Sequence, residues 1–317
     1  MKRMNPLIAG ALAIFLSVSL VSCSNDDDNS SGTTDTYNTQ IKITDSPVDD
    51  AEVEAVFITV ADVQLDGRSL EGFTKTTIEL SALTNGDTQF LGNLDLEAGD
   101  YNNLQLILDT QTDASGNSPA NYVTTQSNGT VALTVSDPQL QVNETVTVLA
   151  QTGNELVIDF DLRKALVAKA DGTYDFVIGS QLSNSLRVSN TLQAGVIAGT
   201  ATNTLGGSNR TIIAFAYEQG TFTEAEADEN ANGVRFANAV TSSATAGSDN
   251  QFSLHFLQEG NYEVQFASFV DDNNDGRLEF EGRIETSSNT AINLNNVNVD
   301  ANTTTTLDLN LLTVLGL

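Results

Sequence analysis

The most specific chemical pattern in the sequence is an acidic loop at residues 271–281, Asp-Asp-Asn-Asn-Asp-Gly-Arg-Leu-Glu-Phe-Glu. In a calcium-binding loop, side-chain oxygens at the first, third and fifth positions surround the cation, and glycine at the sixth allows a sharp turn. A backbone carbonyl at the seventh position and a side chain at the ninth supply further oxygens. The residues at those positions, with the nearest following carboxylate, are Asp271, Asn273, Asp275, Arg277, Glu279 and Glu281. The spacing predicts a structural Ca²⁺ site.

The end of this loop departs from the calcium-binding pattern. Its twelfth position is Gly282, where the pattern has a bidentate glutamate, and Glu281 lies one residue earlier. Loss of that ligand predicts an affinity of about 10⁻⁴ to 10⁻³ M, the range of extracellular modules, or a water in its place. The alternative is that Asn274-Asp275-Gly276 forms a hairpin turn in an acidic chain.

Two further carboxylates have a spacing compatible with catalysis. Asp159 and Asp161 flank Phe160, and alternate residues of a strand point the same way at a separation of about 7 Å. Such a separation suits the paired carboxylates of a glycosidase. The favoured interpretation is structural, because alternate outward positions on a strand are where solvated acids belong. We therefore expect both acids on the solvent face, with Arg163 as a partner.

The remaining polar clusters give weaker indications. Asp45, Asp49 and Asp50 surround Pro47 in a predicted turn, where Asx-type hydrogen bonds to the backbone account for them. A second cation site is the alternative. The only histidine, His255, has a strand parity opposite to that of its apolar neighbours, so we expect it on the surface. A Ser-His-Asp triad or a zinc site would need partners that this sequence does not supply.

The N-terminal residues predict a lipoprotein signal peptide at residues 1–22. Lys2 and Arg3 precede an apolar run, which ends in Leu20-Val21-Ser22-Cys23. This is the pattern of a bacterial lipobox, in which the cysteine is acylated and becomes the new N-terminus, and two or more acyl chains make a stable membrane anchor. An ordinary signal peptide with an unmodified cysteine is the alternative. We predict lipidation, with palmitate among the acyl chains, at Cys23.

Residues 23–37 are predicted to form a disordered acidic tether, because Ser24 to Thr36 lack large apolar side chains. The run of aspartates just after the cysteine resembles the surface-export signal of lipoproteins in one group of Gram-negative bacteria. This resemblance implies the outer face of the outer membrane in preference to its periplasmic face. Solvation of a linker is the other explanation of these aspartates.

Composition excludes several partners. The 317 residues include 42 Asp and Glu against 13 Lys and Arg, giving a net charge of −29. Binding a nucleic acid requires clustered cations that neutralise phosphates, so we expect no nucleic-acid partner. The 40% of hydrophobic residues suffice for buried cores. The single cysteine excludes an internal disulfide and a cysteine-based zinc site.

Beyond the tether, apolar residues alternate with polar ones at the period of a β-strand. The fold class predicted is all-β, with two β-sandwich domains of Greek-key, immunoglobulin-like or transthyretin-like type, at residues 38–190 and 191–317. A parity shift predicts a bulge near Ala61-Asp62, and only residues 161–170 have a weak helical pattern. The strand faces are Ile41 and Ile43; Val56, Ile58 and Val60; Leu104, Leu106 and Leu108; Val131, Leu133 and Val135; Leu156, Ile158, Phe160 and Leu162; Ile213, Phe215 and Tyr217; Phe252, Leu254 and Phe256; Tyr262, Val264 and Phe266; Ile292 and Leu294; Leu307, Leu309 and Leu311.

Both halves contain the pattern Leu-x-x-Gly-x-Tyr before a strand, at Leu96 to Tyr101 and at Leu257 to Tyr262. This spacing is typical of a tyrosine corner, in which the glycine permits a bend and the tyrosine hydroxyl bonds to upstream backbone. We therefore expect one such corner in each sandwich. A coincidental turn before each strand is the alternative.

Four distinctive segments lie in order within residues 38–188: ITDSPVDD at 43–50, LSALTNG at 80–86, LEAGDY at 96–101 and IDFDLRKAL at 158–166. In this order they resemble a family of bacterial lipoprotein domains of unknown function. The resemblance implies an extracytoplasmic β-sandwich and brings no reaction or catalytic residue. The segments 195–200 and 212–217 resemble the transthyretin-like sandwiches appended to carboxypeptidases, although the usual Gly-x-Val opening is here Gly199-Thr200-Ala201.

Three classes of function remain after these exclusions. The favoured one is a non-enzymatic lipoprotein of the outer-membrane surface that binds or displays a protein or a glycan. A glycan-binding accessory of an uptake system is the second, with Tyr37, Phe73 and Tyr122 as loop aromatics that would stack on sugars. A carboxylate-dependent hydrolase is the third.

Overall fold

Strands dominate the described part of the chain, which confirms the all-β prediction. The computed structural model describes residues 35–48, 50, 52–203, 205, 210–230, 233–247, 250–271 and 278–316. The predicted signal peptide, Cys23 and most of the predicted tether lie outside these residues. Strand pairing begins at Thr36, so the last two residues assigned to the tether belong to the first strand.

Strands within residues 36–190, called here the N-terminal half, pair with one another. They are β1 (Thr36–Thr44), β2 (Val53–Leu65), β3 (Arg68–Ser69), β4 (Thr76–Glu79), β5 (Gln89–Glu97), β6 (Gly99–Tyr101), β7 (Leu104–Leu108), β8 (Tyr122–Thr125), β9 (Gly129–Thr134), β10 (Gln139–Val142), β11 (Val146–Val148), β12 (Asn154–Phe160), β13 (Leu166–Ala168), β14 (Tyr174–Phe176) and β15 (Leu186–Asn190). Short helices α1 (Leu162–Ala165) and α2 (Ser180–Ser183) and a 3₁₀ turn at Leu80–Ala82 lie between them.

Two main sheets enclose the core of the N-terminal half. One has the order β15-β12-β1-β5, and the other has the order β10-β7-β2-β8-β9-β14-β13, with β3 and β4 also on β2. Ile43 of β1 and Ile158 of β12 are fully buried in one cluster with Ile58 of β2 and Leu106 of β7. The register of β2 against β7 shifts between Val60 and Asp62, which confirms the predicted bulge.

Strands within residues 194–315, called here the C-terminal half, form a separate pairing network. They are β16 (Ala194–Asn203), β17 (Arg210–Glu218), β18 (Thr241–Ala244), β19 (Gln251–Gln258), β20 (Gly260–Val270), β21 (Glu279–Ser288), β22 (Val297–Val299) and β23 (Thr304–Leu315), with 3₁₀ turns at Thr191–Gln193 and Glu224–Ala227. Their order is β18-β17-β20-β21-β23-β16-β19, with β22 also on β20. A bridge between Ala246 and Gln251 joins the two ends of this path, so the sheet curls round its core.

Both faces of β17 are buried, although its sequence predicts a half-buried strand. Ala214 packs into the cluster inside the curled sheet. Phe215 packs on the opposite face with Phe236 of the loop that follows β17, and their ring centroids are 4.3 Å apart. Ala227, Phe236 and Ala239 therefore cover the outer face of β17.

Both predicted tyrosine corners are confirmed by their hydrogen bonds. The Tyr101 hydroxyl donates to the Glu97 carbonyl at 2.9 Å, and the Tyr262 hydroxyl donates to the Gln258 carbonyl at 2.8 Å. The glycines differ in backbone conformation. Gly99 has a φ of +155°, which favours glycine, whereas Gly260 does not have a positive φ. The bend at the second corner therefore does not require a glycine.

Three local predictions were wrong. Phe256 leaves the apolar face, because a bulge between β16 and β19 turns Leu257 inward in its place. Ile292 and Leu294 lie in a loop before β22 rather than on a strand, where they pack against the core as partly buried side chains. The weak helical pattern at residues 161–170 yields only the four residues of α1.

No helix among the described residues has the length and apolarity needed to cross a membrane.

Candidate functional site

Two arginines of the N-terminal half bind backbone carbonyls of the C-terminal half. Arg163, in α1, donates to the carbonyls of Arg235 at 2.5 Å and Phe236 at 3.2 Å. Arg187, in β15, donates to the carbonyls of Phe256 at 2.6 Å and His255 at 3.0 Å. The guanidinium groups therefore join the two halves, and residues 35–317 form one compact unit.

One of the two carbonyls that each arginine binds belongs to strained backbone. Phe236 has a φ of +52° and Phe256 a φ of +55°, in a region that bulky residues rarely adopt. Such conformations cost about 1–3 kcal/mol each and persist where their surroundings hold them. Both bends turn a carbonyl of the C-terminal half towards a guanidinium, so the hydrogen bonds to Arg163 and Arg187 offset part of the strain.

The prediction that Asp159 and Asp161 are solvated was wrong. Each is 3% exposed: Asp159 lies in β12, which is covered on both faces, and Asp161 lies just after that strand, where α1 begins. Asp159 binds Arg187 at 2.6 Å, and Asp161 binds Arg163 at 3.4 Å and Lys164 at 3.3 Å. The predicted pairing of Arg163 with these acids is confirmed for Asp161. The two carboxylates orient the arginines that join the halves.

Asp45 completes this buried cluster. It is 6% exposed, its Oδ1 accepts the Leu162 N–H at 3.0 Å, and the Leu83 carbonyl accepts its backbone N–H at 2.9 Å. Three of the four family-like segments thus meet at the junction between the halves. Burial raises the pKa of Asp45 well above its usual value, and the charges of Asp161 and Asp159 add to this effect.

Four buried polar atoms of the junction have no hydrogen-bond partner in the described part of the chain: Asp45 Oδ2, Asp159 Oδ1, Asp161 Oδ1 and Arg163 Nε. Burial raises the pKa of Asp161, but the charges of Arg163 and Lys164 outweigh burial and lower it below its usual value. The described residues contain no group of three or more His, Cys, Asp and Glu side chains arranged to hold a metal ion. The buried ion pairs lie within the N-terminal half, and they orient the guanidinium groups of Arg163 and Arg187 towards carbonyls of the C-terminal half.

A polar cleft of about 890 Å³ opens beside this cluster and is lined by both halves. Lys164 and Arg187 lie in its wall, and the Lys164 ammonium donates to the Ala239 carbonyl at 2.6 Å. Both cations therefore have protein partners. We call this feature the inter-half cleft. Its volume falls within the range of about 300–1,000 Å³ that is usual for ligand sites.

Six amide side chains line the inter-half cleft, three from each half: Asn143, Gln181, Asn184, Asn230, Asn238 and Gln258. Glu144 lies among them and accepts the Val188 N–H at 2.8 Å. The surrounding walls desolvate this carboxylate and raise its pKa, although the side chain remains accessible from the cleft. No sequence motif predicts this site, because its residues come from strands, short helices and loops that are far apart in the chain.

His255 is partly buried, so its predicted surface position was wrong. Its Nε2 lies 2.6 Å from the Ser253 hydroxyl, and its ring packs so closely on Gly86 that an added Cβ there would lie 2.5 Å away. Burial lowers the pKa of His255 below its usual value. The ring therefore fills space between the halves.

The predicted calcium loop lies mostly outside the described residues, which include Asp271, Glu279 and Glu281 but not Asn273, Asp275 or Arg277. Glu281 Oε2 accepts from Arg210 Nε and its Oε1 from Arg210 Nη2, both at 2.6 Å. The Ser268 hydroxyl donates to the same carboxylate at 2.6 Å. These bonds pair Glu281 with protein groups, the Arg210 guanidinium and the Ser268 hydroxyl.

The aromatic residues considered for sugar stacking have other packing roles. Tyr37 and Phe73 are partly buried against the N-terminal core. Tyr122 lies in β8 rather than in a loop, and its ring stacks on Phe57 with centroids 4.6 Å apart.

Several solved structures are similar to this chain at low identity. The major pilin subunit BcpA of Bacillus cereus is 8% identical, with 89% of this chain and 70% of that chain covered and a TM-score of 0.20. The minor pilin GBS52 of Streptococcus agalactiae is 12% identical, with 88% and 97% covered and a TM-score of 0.20. A candidate adhesin of Bacteroides ovatus is 11% identical, with 74% and 72% covered and a TM-score of 0.18.

No curated protein matches this chain at a significant level. The family model described as Domain of unknown function (DUF4382) matches residues 36–177. This match confirms the domain of unknown function expected in the N-terminal half and leaves the C-terminal half outside it. Residues 36–177 are therefore similar to DUF4382 domains, and they include Asp45, Asp159, Asp161 and Arg163 of the buried junction.

Proposed function

We propose that this protein is a non-enzymatic lipoprotein that displays a rigid pair of β-sandwich domains, residues 38–190 and 191–317, at the outer-membrane surface. The observation that carries the proposal is the buried junction. Its acids, Asp159 and Asp161, bind the cations that join the halves. Because Asp159 and Asp161 help to hold the two sandwiches together, the chain is suited to binding or display.

The lipobox at Leu20 to Cys23 supports the anchor, and the acidic run that follows it supports export to the surface. Metabolic labelling with a palmitate analogue tests the first step, with labelling expected in the wild type and lost in Cys23→Ala. Ser22→Ala is the matched control, because alanine is small enough to preserve the lipobox. Protease treatment of intact cells tests the second step: digestion without lysis supports surface display, and digestion only after lysis contradicts it.

The hydrolase alternative requires two acids that reach a substrate together. Asp159 and Asp161 bind different cations and are buried, so this geometry favours the structural role. Hydrolysis of a glycan panel by the purified protein, lost in Asp161→Asn, would overturn this part of the proposal.

We also propose a structural Ca²⁺ site at residues 271–281, with oxygen ligands Asp271, Asn273, Asp275, the Arg277 carbonyl and Glu279. The sequence spacing supports this site, and the ion pair of Glu281 with Arg210 favours a ligand set without Glu281. Calorimetric titration with Ca²⁺ should show weaker binding to Asp275→Ala than to the wild type. Asp271→Asn should still bind Ca²⁺, at lower affinity than the wild type. Absence of heat, together with an unchanged melting temperature in Ca²⁺ and in chelator, would contradict the proposal.

A further inference from the structure

We infer that the inter-half cleft binds a neutral polyhydroxylated ligand, an oligosaccharide. This inference deepens the proposed function, because it names the ligand class of the displayed module and rests on it. It differs from the aromatic stacking considered from the sequence, since the residues concerned are amides.

The first step of the argument is hydrogen-bonding capacity. Each amide side chain offers two N–H donors and a carbonyl acceptor, which matches the combined donor and acceptor character of sugar hydroxyls. The amides of Asn143, Gln181, Asn184 and Gln258 line the cleft and are exposed. Within the described residues these four side chains make no hydrogen bond to protein, so their donors and acceptors remain available to a ligand.

The second step is charge. The ionised side chains of the cleft are Glu144, Glu218, Lys164 and Arg187. Both cations are engaged by protein: Lys164 binds Asp161 at 3.3 Å, and Arg187 binds Asp159 at 2.6 Å. The carboxylates of Glu144 and Glu218 therefore give the cleft a negative electrostatic potential, which disfavours an anionic ligand. A carboxylate such as Glu144 accepts hydrogen bonds from neighbouring hydroxyls, as a neutral sugar requires.

The third step is rigidity. The cleft walls come from two halves held by the Arg163 and Arg187 bonds to backbone carbonyls. A site whose walls are already fixed loses less conformational entropy when a ligand binds. Tyr262, the aromatic residue in the wall, is 4% exposed and its hydroxyl is bound to Gln258. Recognition therefore depends on hydrogen bonds more than on ring stacking.

The experiment uses the full mature chain in detergent on an array of neutral oligosaccharides, oligosaccharides rich in uronic acids and lysine-rich peptides. Binding of one or more neutral oligosaccharides is the expected result. A titration with the best of these should be at least about tenfold weaker for the double variant Asn184→Ala, Gln258→Ala, which removes one free amide from each half. Gln111→Ala removes an exposed amide outside the cleft and should leave the affinity unchanged.

Unchanged melting temperatures would show that the double variant remains folded. Binding restricted to uronic-acid oligosaccharides or to lysine-rich peptides overturns the inference, as does neutral-sugar binding that the double variant leaves unchanged. If folded protein binds no member of the array, the inference is also overturned. Palmitate labelling and protease sensitivity on intact cells test the proposed function separately, because neither measurement depends on the ligand.

Discussion

At the scale of single residues, the ionised carboxylate of Asp45 opposes folding. Its carboxylate is buried, one oxygen has no partner among the described residues, and its pKa is raised by burial. Because the folded pKa lies above the unfolded value of about 3.9, Asp45 favours folding when protonated. That contribution is fully present below the unfolded pKa and is lost as the pH rises through the folded pKa.

Asp45→Asn should therefore stabilise the protein at neutral pH. Asparagine keeps an oxygen that accepts the Leu162 N–H and removes the buried charge. We expect the free energy of unfolding to rise by about 1–2 kcal/mol at pH 7.5, with a smaller gain at pH 4.5, measured by urea denaturation. Asp113→Asn gives the contrast, because backbone hydrogen bonds from Asn117 lower the pKa of exposed Asp113. That variant should be less stable than wild type at pH 7.5. Destabilisation by Asp45→Asn at pH 7.5 would contradict the argument.

At the scale of elements, the two tyrosine corners differ in burial. Tyr262 is 4% exposed and burial raises its pKa to about 12, whereas Tyr101 is more accessible. Tyr262→Phe leaves the Gln258 carbonyl without its hydroxyl donor and should cost about 1 kcal/mol or more, because a lost hydrogen bond costs most where water cannot replace it. Tyr101→Phe should cost less.

Denaturation of the two single variants under one condition measures this difference. The substitutions are chemically identical, so each is the control for the other. An equal cost at both corners would show that burial does not govern the strength of these bonds.

The sequence predicted these corners because their information is local. A six-residue spacing specifies both the bend and the bond, and strand alternation similarly predicted β1, β7 and β23. Strand alternation predicted solvent exposure wrongly where both faces of a strand are covered. Asp159 alternates with apolar residues as a solvated acid would, yet the C-terminal half lies against that face and buries it.

The candidate cleft was beyond prediction for a related reason. Asn184 and Gln258 are 74 positions apart in the printed sequence, and neither belongs to a recognisable motif. They meet because Arg187 and Ser189 of β15 bind the Phe256 carbonyl at the bulge of β19. A bulge that reverses the parity of Phe256 has no signature in the alternating pattern, since the residue is apolar in either orientation.

At the scale of the whole molecule, the junction should make the two halves unfold together. Calorimetry of the wild type at neutral pH is expected to show one transition, because Arg163 and Arg187 couple the stability of each half to the other. Replacing both by methionine keeps much of their apolar volume but leaves Asp159 buried without its cationic partner, which costs about 3–5 kcal/mol, while Asp161 keeps its ion pair with Lys164. Two transitions are then expected, the first at lower temperature. Arg283→Met removes an exposed pair with Glu224 inside the C-terminal half and should preserve the single transition. Two transitions in the wild type would show that the halves are independent, and the rigid display module would lose its physical basis.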